Sequence, residues 1–269
     1  MKFKIIFILF NIVVVFSFLI VTLMPLFMLG GDYSQEFFKE SWYLFLIFIL
    51  AIGSIDTYFV VNWKMFSLLE AENWDDLISY LEVKIYKSKN LFLPMVKILA
   101  NTYLIKSNMP GIVKLRDFLR KEKPKLLKKM VIPLSVPLFI DGQPEKMEEF
   151  FSEFINQKGV VKVDWIKFLY SFSLLLNNKK DEAYISLIAL CNSNISPILK
   201  LLVIYSLNPF EGIAADEKFV CVDQNKKKLH LKYTKEKMEQ ALESVNDNVL
   251  VLVLNKFSKE AIDWLYKES

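Results

Sequence analysis

The sequence is poor in the residues on which most enzyme sites depend. It has one histidine, two cysteines and seven glycines in 269 residues. Histidine serves most metal and acid–base sites, and clusters of glycine form phosphate-binding loops. The sequence also has no nucleophile elbow, P-loop, zinc-binding helix or dinucleotide-binding fingerprint. These absences predict a protein that is not an enzyme and has no metal site and no cofactor.

Arginine and cysteine are equally scarce. Arg116 and Arg120 are the only arginines among 34 basic residues. Because arginine and exposed aromatic residues are preferred for binding nucleic acid, a nucleic-acid partner is not expected. Cys191 and Cys221 lack metal-like or redox-motif spacing, so we expect two small core residues and no disulfide-stapled scaffold. His230 has no partners spaced for a metal and is expected in a surface loop.

Apolar residues, in contrast, are abundant and form two long runs. The first extends over residues 5–29 and the second over residues 42–61. About 20 apolar residues cross a bilayer, so each run predicts a transmembrane helix. A cleaved signal peptide would have a shorter apolar region ending in small residues, which favours a retained first span. Trp42 and Trp63 flank the second run, as is typical of membrane interfaces.

A short polar link joins the two runs and predicts an antiparallel hairpin. Lys2 and Lys4 precede the first span and Lys64 follows the second, whereas only Lys39 lies in the link. The positive-inside rule then places both ends and the rest of the chain in the cytoplasm. We therefore expect a multi-pass protein of the cytoplasmic (inner) membrane.

One carboxylate lies inside the second predicted span. Asp56 is six residues from the end of the run, and Asn11 lies at the same depth in the first span. A carboxylate at that depth costs a few kcal/mol unless it has a partner or water. A hydrogen bond between Asp56 and Asn11 that locks the hairpin is the simpler interpretation. An ion or proton site is the alternative, and it would need further membrane helices.

A helical repeat follows the hairpin. Residues Leu77, Ile112, Met147 and Ala183 are spaced by 35, 35 and 36 positions, and a polar turn precedes each of them. Small residues recur twelve positions upstream in three of the units, at Ala100, Ser135 and Ser171. A small residue lets two helices approach closely, and the polar turn reverses the chain. A single helical hairpin cannot bury its apolar face, so such units stack into a solenoid.

The clearest unit has the spacing of a known family. Ala100, Tyr103, Asn108, Ile112 and the closing Pro124 match the positions of a tetratricopeptide repeat, and the segment resembles that family. The resemblance implies concave surfaces that bind protein partners. The chain departs from the family's pattern in two respects. No unit has the family's Trp and Gly, and Ile112 and Met147 stand where the family has alanine. Pro133 and Pro137 also interrupt the first helix of the third unit, which predicts a kink.

The region after residue 207 is less regular. A helix is predicted over residues 197–207, and NPFEG follows it as a loop signal. Residues 218–233 alternate around QNKKK and predict a small β-hairpin or an irregular insertion. Helical pattern returns at Thr234, a plausible cap, and again over residues 258–267.

A basic segment overlaps the clearest unit. It contains two acidic residues and eight basic ones: Lys114, Arg116, Arg120, Lys121, Lys123, Lys125, Lys128 and Lys129. Basic residues near a membrane are attracted to anionic lipid, and they also suit an acidic protein partner. An ordinary solvated surface of two helices is the alternative.

Together these features predict an all-α protein with three regions. They are a transmembrane hairpin (residues 1–62), a tetratricopeptide-like α-solenoid (63–207) and an irregular insertion with a C-terminal helical cap (208–269). The expected function is a non-catalytic, membrane-anchored bacterial scaffold or adaptor in a cell-envelope assembly, such as a secretion or flagellar-motor complex. Alternatives are a structural subunit that packs through Asp56, a transport accessory or a membrane enzyme.

Overall fold

The structure is all-helical throughout the part of the chain that it describes. This computed structural model describes residues 2–29, 31–89, 91–210, 219–243 and 248–267. These residues form α-helices, two π-helical turns and their connections, and none of them lies in a strand. The predicted all-α class is therefore confirmed for these residues. The chain divides into two compact units, Met1–Asn90 and Leu91–Ser269, which we call the N-terminal and C-terminal units.

The described residues of the N-terminal unit form two long helices and two short ones. They are α1 (Lys2–Leu29), α2 (Gly31–Val61), α3 (Trp63–Glu70) and α4 (Trp74–Glu82), and the π-helical turn Val83–Lys87 continues α4. Most of the polar link is thus helical, because α2 begins at Gly31. Phe7 contacts Phe59 with ring centroids 5.1 Å apart, and Phe18 stacks on Phe48 at 3.9 Å. Early residues meet late ones, so α1 and α2 run antiparallel.

The C-terminal unit contains the remaining helices. They are α5 (Leu93–Ile105), α6 (Met109–Glu122), α7 (Pro124–Leu127), α8 (Val131–Leu134), α9 (Val136–Ile140), α10 (Pro144–Ser152), α11 (Val163–Leu176), α12 (Lys180–Cys191), α13 (Pro197–Leu207), α14 (Gln224–Lys232), α15 (Lys235–Glu243) and α16 (Asn248–Tyr266). The helix predicted over 197–207 is confirmed by α13. Several helices that follow one another in sequence also pack together, such as α10, α11, α12 and α13.

Four turns share one backbone conformation. Their residues with φ between 51° and 58° are Glu72, Ser107, Gly142 and Asn178. Each lies two residues before a helix, and the fourth residue of each of those helices is at most 2% exposed: Leu77, Ile112, Met147 and Ala183. In three turns the next N–H donates to a carbonyl five residues back, as Asn108 does to Tyr103. This is the left-handed ending typical of helices, and it recurs at the predicted interval.

Two helices begin at a side-chain cap, and the cap predicted at Thr234 is one of them and is confirmed. Asn73 Oδ1 accepts a hydrogen bond from the Asp76 N–H at 3.4 Å, where α4 begins. Thr234 Oγ1 accepts from the Lys237 N–H at 3.3 Å, where α15 begins. Each cap satisfies a backbone donor that has no partner within the helix.

Prolines break the middle of the C-terminal unit, as predicted. Pro133 lies in α8 and Pro137 lies at the start of α9, so two short helices replace one long one. The buried Ser135 separates them, and its hydroxyl donates to the carbonyl oxygen of Ile132 at 2.7 Å. Proline lacks the N–H that would continue the helical hydrogen bonds, which accounts for the interruption.

The prediction of a β-hairpin over residues 218–233 is wrong for the residues that the structure describes there. Residues Phe219–Asp223 form a π-helical turn, and α14 follows directly. His230 therefore lies on a helix and not in a loop. The alternation of apolar and polar residues resembles a strand, but Cys221, Val222 and Leu229 are the buried residues and match a helical surface.

The last helix, α16, packs across the unit. It contacts α13 and α15 near the C-terminus and also α8 and α9, more than a hundred residues earlier. The ring centre of Phe257 in α16 lies 5.4 Å from that of Phe172 in α11 and 5.2 Å from that of Tyr205 in α13. In a simple solenoid each unit contacts only its neighbours, and the contacts of α16 with α8 and α9 do not follow that rule.

At Gly111, α6 packs closely against Tyr103 of α5. A Cβ atom at this position would lie 2.7 Å from Cε1 and 2.8 Å from Cδ1 of Tyr103. Tyr103 is fully buried, so its ring has little room to move. Glycine is therefore required here for close packing.

We expect Gly111→Ala to destabilise the C-terminal unit. The added methyl group forces a shift in a packed core, which costs about 1–3 kcal/mol. The free energy of unfolding, measured by denaturant titration of the full chain in detergent, should fall by that amount. Lys121→Ala, an exposed change on the same helix, serves as the control and should stay within about 0.5 kcal/mol of the wild type. Equal stability of Gly111→Ala and the wild type would contradict this packing.

Candidate interaction surfaces

The surface of the N-terminal unit is dominated by apolar side chains. Lys4–Met24 of α1 and Phe37–Val61 of α2 are long and apolar enough to cross a membrane, and none of either segment is buried. Large exposed apolar surfaces mark sites of contact with lipid or protein. These two helices thus indicate membrane association by their length and composition.

Asp56 and Asn11 lie at the same level of the α1–α2 pair. The contacts of Phe7 with Phe59 and of Phe18 with Phe48 place Asn11 opposite the turn that contains Asp56. Asn11 Nδ2 donates to the carbonyl oxygen of Phe7 at 3.1 Å. Asp56 Oδ1 is buried and has no hydrogen-bond partner among the described residues. The hydrogen bond predicted between these two side chains is not among those that the structure gives.

An apolar cleft also lies between α1 and α2. It has a volume of about 410 Å³, and its lining is mainly apolar, with Phe18, Phe45 and Phe48 among the residues, and also includes Ser17, Thr22 and Ser41. Thr22 Oγ1 faces it without a hydrogen-bond partner in the part of the chain that is described. The cleft is open to the surroundings of the helices, where lipid or another helix would fill it.

The basic segment lies on α6, α7 and the turn after α7. Both arginines contact the α10 region. Arg120 Nη2 donates to the two carboxylate oxygens of Glu153 at 3.0 Å each. The Arg116 guanidinium lies 5.6 Å from the ring centre of Phe150, and its side chain is only 14% exposed. The two arginines therefore attach α6 to α10.

Two lysines of the segment also contact the chain itself. Lys123 Nζ donates to the carbonyl oxygen of Leu91 at 3.0 Å, and Lys128 Nζ to that of Lys158 at 3.3 Å. Lys114 is engaged in a further interaction. The remaining three, Lys121, Lys125 and Lys129, are exposed. The segment thus contributes fewer outward charges than its sequence implies, and binding of anionic lipid there stays a prediction.

A polar contact connects α10 with the turn between α11 and α12. Glu148 accepts hydrogen bonds from Lys179 Nζ and Asn177 Nδ2, both at 2.6 Å. Burial raises the pKa of Glu148, but the hydrogen bonds from Lys179 and Asn177 outweigh it and leave that pKa below its ordinary value. The hydrogen bond to Glu148 raises the pKa of Lys179. Apart from the polar turn before Ala183, no pattern in the sequence points to this pair.

We expect Glu148→Gln to destabilise the C-terminal unit at neutral pH, because it removes the charge that pairs with Lys179. The loss should be only about 1 kcal/mol, because solvent screens the exposed Lys179. A carboxyl group with a lowered folded pKa stabilises the fold above its unfolded pKa, and this contribution is lost as pH falls through the folded pKa. The stability difference between wild type and variant should therefore shrink in acid. Thermal melts over pH 3–7 would measure it. The control is Glu149→Gln, exposed on the same helix. A difference independent of pH would contradict the assignment.

The structure pairs the two cysteines, which sequence reasoning missed. Cys191 at the end of α12 and Cys221 in the π-helical turn are joined by a disulfide, with Cα atoms 6.2 Å apart. That separation lies within the usual range for disulfides. Both residues are at most 3% exposed, so the prediction of two core residues is confirmed. Their spacing of 30 residues carries no motif, and only the fold brings them together.

Lys200 of α13 caps the C-terminal end of α12, beside this pair. Its ammonium group donates to the carbonyl oxygen of Cys191 and, at 2.8 Å, to that of Ser193. A cation at a helix C-terminus satisfies carbonyl groups that lack partners within the helix. Burial lowers the pKa of Lys200, and the nearby charge of Lys228 lowers it further.

The described residues contain no group of three or more His, Cys, Asp or Glu side chains that could hold a metal ion. By fold, the protein is a helical chain with two apolar N-terminal helices. A family described as "Uncharacterised Treponema protein" matches residues 111–267. The chain belongs to this family, and the match covers most of the C-terminal unit.

A relative extends the similarity beyond that region. An "Uncharacterized protein" of Treponema pallidum (strain Nichols) is 23% identical over 233 residues, covering 82% of this chain and 74% of the relative. No solved structure matches the chain.

Proposed function

We propose that the protein is a non-catalytic membrane-anchored scaffold that binds a protein partner within a cell-envelope assembly, such as a secretion or flagellar-motor complex. The observation that carries this proposal is that the two units differ in how much of their apolar surface is exposed. Most of the large exposed apolar side chains belong to α1 and α2, whereas the apolar residues of the C-terminal unit are largely buried. An apolar hairpin that is not covered by its own chain suits anchoring in a bilayer.

The binding role is supported by the recurring turns. The left-handed residues at Glu72, Ser107, Gly142 and Asn178 keep the interval of the tetratricopeptide-like pattern, and a buried residue follows each at the same distance. Stacked helical pairs of this kind present extended surfaces to partner peptides or helices. We propose that the repeats form such a solenoid and that its surface takes the partner.

Cross-linking in native membranes tests the binding role. A photoreactive residue replaces Ile185 of α12, which is 70% exposed, or Ile140 at the end of α9, which is 61% exposed. The same protein should be captured from both positions and identified by mass spectrometry. The control position, Lys237 on α15, is exposed and polar. Adducts of equal yield and diversity at all three positions would contradict a specific binding surface.

Two observations bear on membrane orientation. The lysine distribution favours a cytoplasmic C-terminal unit. A disulfide is typical of oxidising compartments and rare in the cytosol. We propose the cytoplasmic orientation on the basis of the lysine distribution, although the disulfide between Cys191 and Cys221 favours the opposite one.

A cysteine reporter decides between the orientations. Cys221 is 2% exposed, so it cannot report on accessibility. Lys237→Cys in a Cys191→Ser/Cys221→Ser background places one exposed thiol on α15. A membrane-impermeant maleimide should label it in permeabilised cells and not in intact cells. Labelling in intact cells would place the unit outside the cytoplasm.

A structural membrane subunit is the second candidate, favoured by the unpaired Asp56 Oδ1 inside a candidate span. In that case a partner helix would supply the missing hydrogen bond. Asp56→Leu should then abolish co-purification of membrane partners, while Thr57→Leu in the same span should not. Under the scaffold proposal, both variants keep the partners of the C-terminal unit.

A further inference from the structure

A groove in the C-terminal unit is lined mainly by basic side chains. It has a volume of about 730 Å³ and lies between α14 and the end of α16. Its charged and titratable lining residues are Asp223, Lys226, Lys227, His230 and Lys267. We call it the basic groove. The lining thus has three lysines and a single carboxylate, and a concave site of mainly one charge sign concentrates ions of the opposite sign.

Aromatic contacts hold the walls of the basic groove in place. Lys226 Nζ lies 4.4 Å from the ring centre of Trp264, and the His230 ring lies 5.3 Å from that of Tyr266. The Tyr266 hydroxyl donates to the carbonyl oxygen of Tyr233 at 2.7 Å. These contacts position Lys226, His230 and Tyr266 before any ligand arrives, which reduces the entropy lost on binding.

A cation over an aromatic ring keeps its hydrogen-bond donors. The ring attracts the ammonium charge but offers no carboxylate or carbonyl oxygen to accept its protons. In the basic segment, by contrast, Arg120 is paired with Glu153 and Lys123 with a carbonyl oxygen. Within the described chain, none of the ion pairs that the structure gives involves a lysine of the basic groove. Its donors therefore remain available to an external anion.

The rest of the lining is apolar. Leu231, Leu265 and the ring of Tyr266 complete the walls, and Leu231 is 77% exposed. A ligand that fits would carry compact negative charge at one end and an apolar or ring-like body at the other. The volume lies in the range of sites for small molecules, about 300–1,000 Å³.

We propose that the basic groove binds a phosphorylated ligand. Its phosphate group accepts hydrogen bonds from Lys226, Lys227 and Lys267, and its body packs against Leu231 and the ring of Tyr266. Lysine is a common phosphate ligand, and a phosphate monoester supplies nearly two negative charges to balance three ammonium groups. The ligand is a soluble phosphate ester or the headgroup of an anionic lipid. This site is independent of the partner-binding surface proposed above.

The test uses the full chain and two arms. In the soluble arm, the chain in neutral detergent is titrated with glycerol 3-phosphate, and the rise in Tm gives the affinity. In the lipid arm, the chain is reconstituted in phosphatidylcholine nanodiscs with or without phosphatidic acid, and Tm is compared. Chloride at matched ionic strength is the reference in the soluble arm, since screening alone shifts Tm.

Charge reversal identifies the site. Lys227→Glu and Lys267→Glu should each weaken binding about tenfold or more, because each removes a charge-assisted hydrogen bond and adds repulsion. Lys237→Glu on α15 lies outside the groove and makes the same charge change, so it should leave the affinity unchanged. Lys227→Gln provides a milder variant with the same expected direction, should a reversal disturb folding.

Saturable stabilisation in either arm, lost in the groove variants and kept in Lys237→Glu, supports the proposal and identifies the source of the phosphate. Three results would overturn it. They are the absence of a saturable response in both arms, equal loss in Lys237→Glu, and stabilisation by a polyglutamate peptide with none by the phosphorylated probes.

Discussion

The exposed apolar surface of α1 and α2 constrains everything else in this protein. Two helices of this length cannot bury their side chains against each other alone, because each covers only one side of its neighbour. Aromatic contacts such as Phe18 with Phe48 join them along one side, and the other sides stay uncovered. Exposing such a surface to water is unfavourable, whereas exposing it to lipid is not. In lipid, however, polar groups must find hydrogen-bond partners within the protein. Asp56 is such a polar group, because its Oδ1 has no hydrogen-bond partner among the described residues.

Local features were predictable from the sequence because they depend on residues close together in the chain. The caps at Asn73 and Thr234, the interruption at Pro133 and Pro137, and the burial of Ile112 and Met147 all follow from neighbouring residues. The prediction of a β-hairpin over residues 218–233 is wrong because strands and short helices can both show alternating apolar residues. The disulfide, the Glu148–Lys179 contact and the basic groove join distant segments, and no sequence spacing identifies such pairs.

The two clusters of basic residues show why charge in a sequence is a poor guide to binding. The segment around Arg116 and Arg120 has the greater charge, yet its arginines hold α6 to Phe150 and Glu153. The run at Lys226 and Lys227 is shorter and looks like part of a loop in the sequence. Folding places it opposite Lys267, so a second positive wall appears only in three dimensions. What matters is whether a cation's donors are already occupied, and the fold alone determines that.

The packing of α16 has a consequence for how the chain matures. Phe257 contacts α11 and α13, and the same helix contacts α8 and α9. A growing chain releases its N-terminal part first, and domains generally fold once their residues have emerged from the ribosome. The middle of the C-terminal unit must therefore wait, with an uncovered apolar surface, until α16, more than a hundred residues later, is translated. Completion of this core therefore depends on α16, and the apolar hairpin has emerged long before that helix.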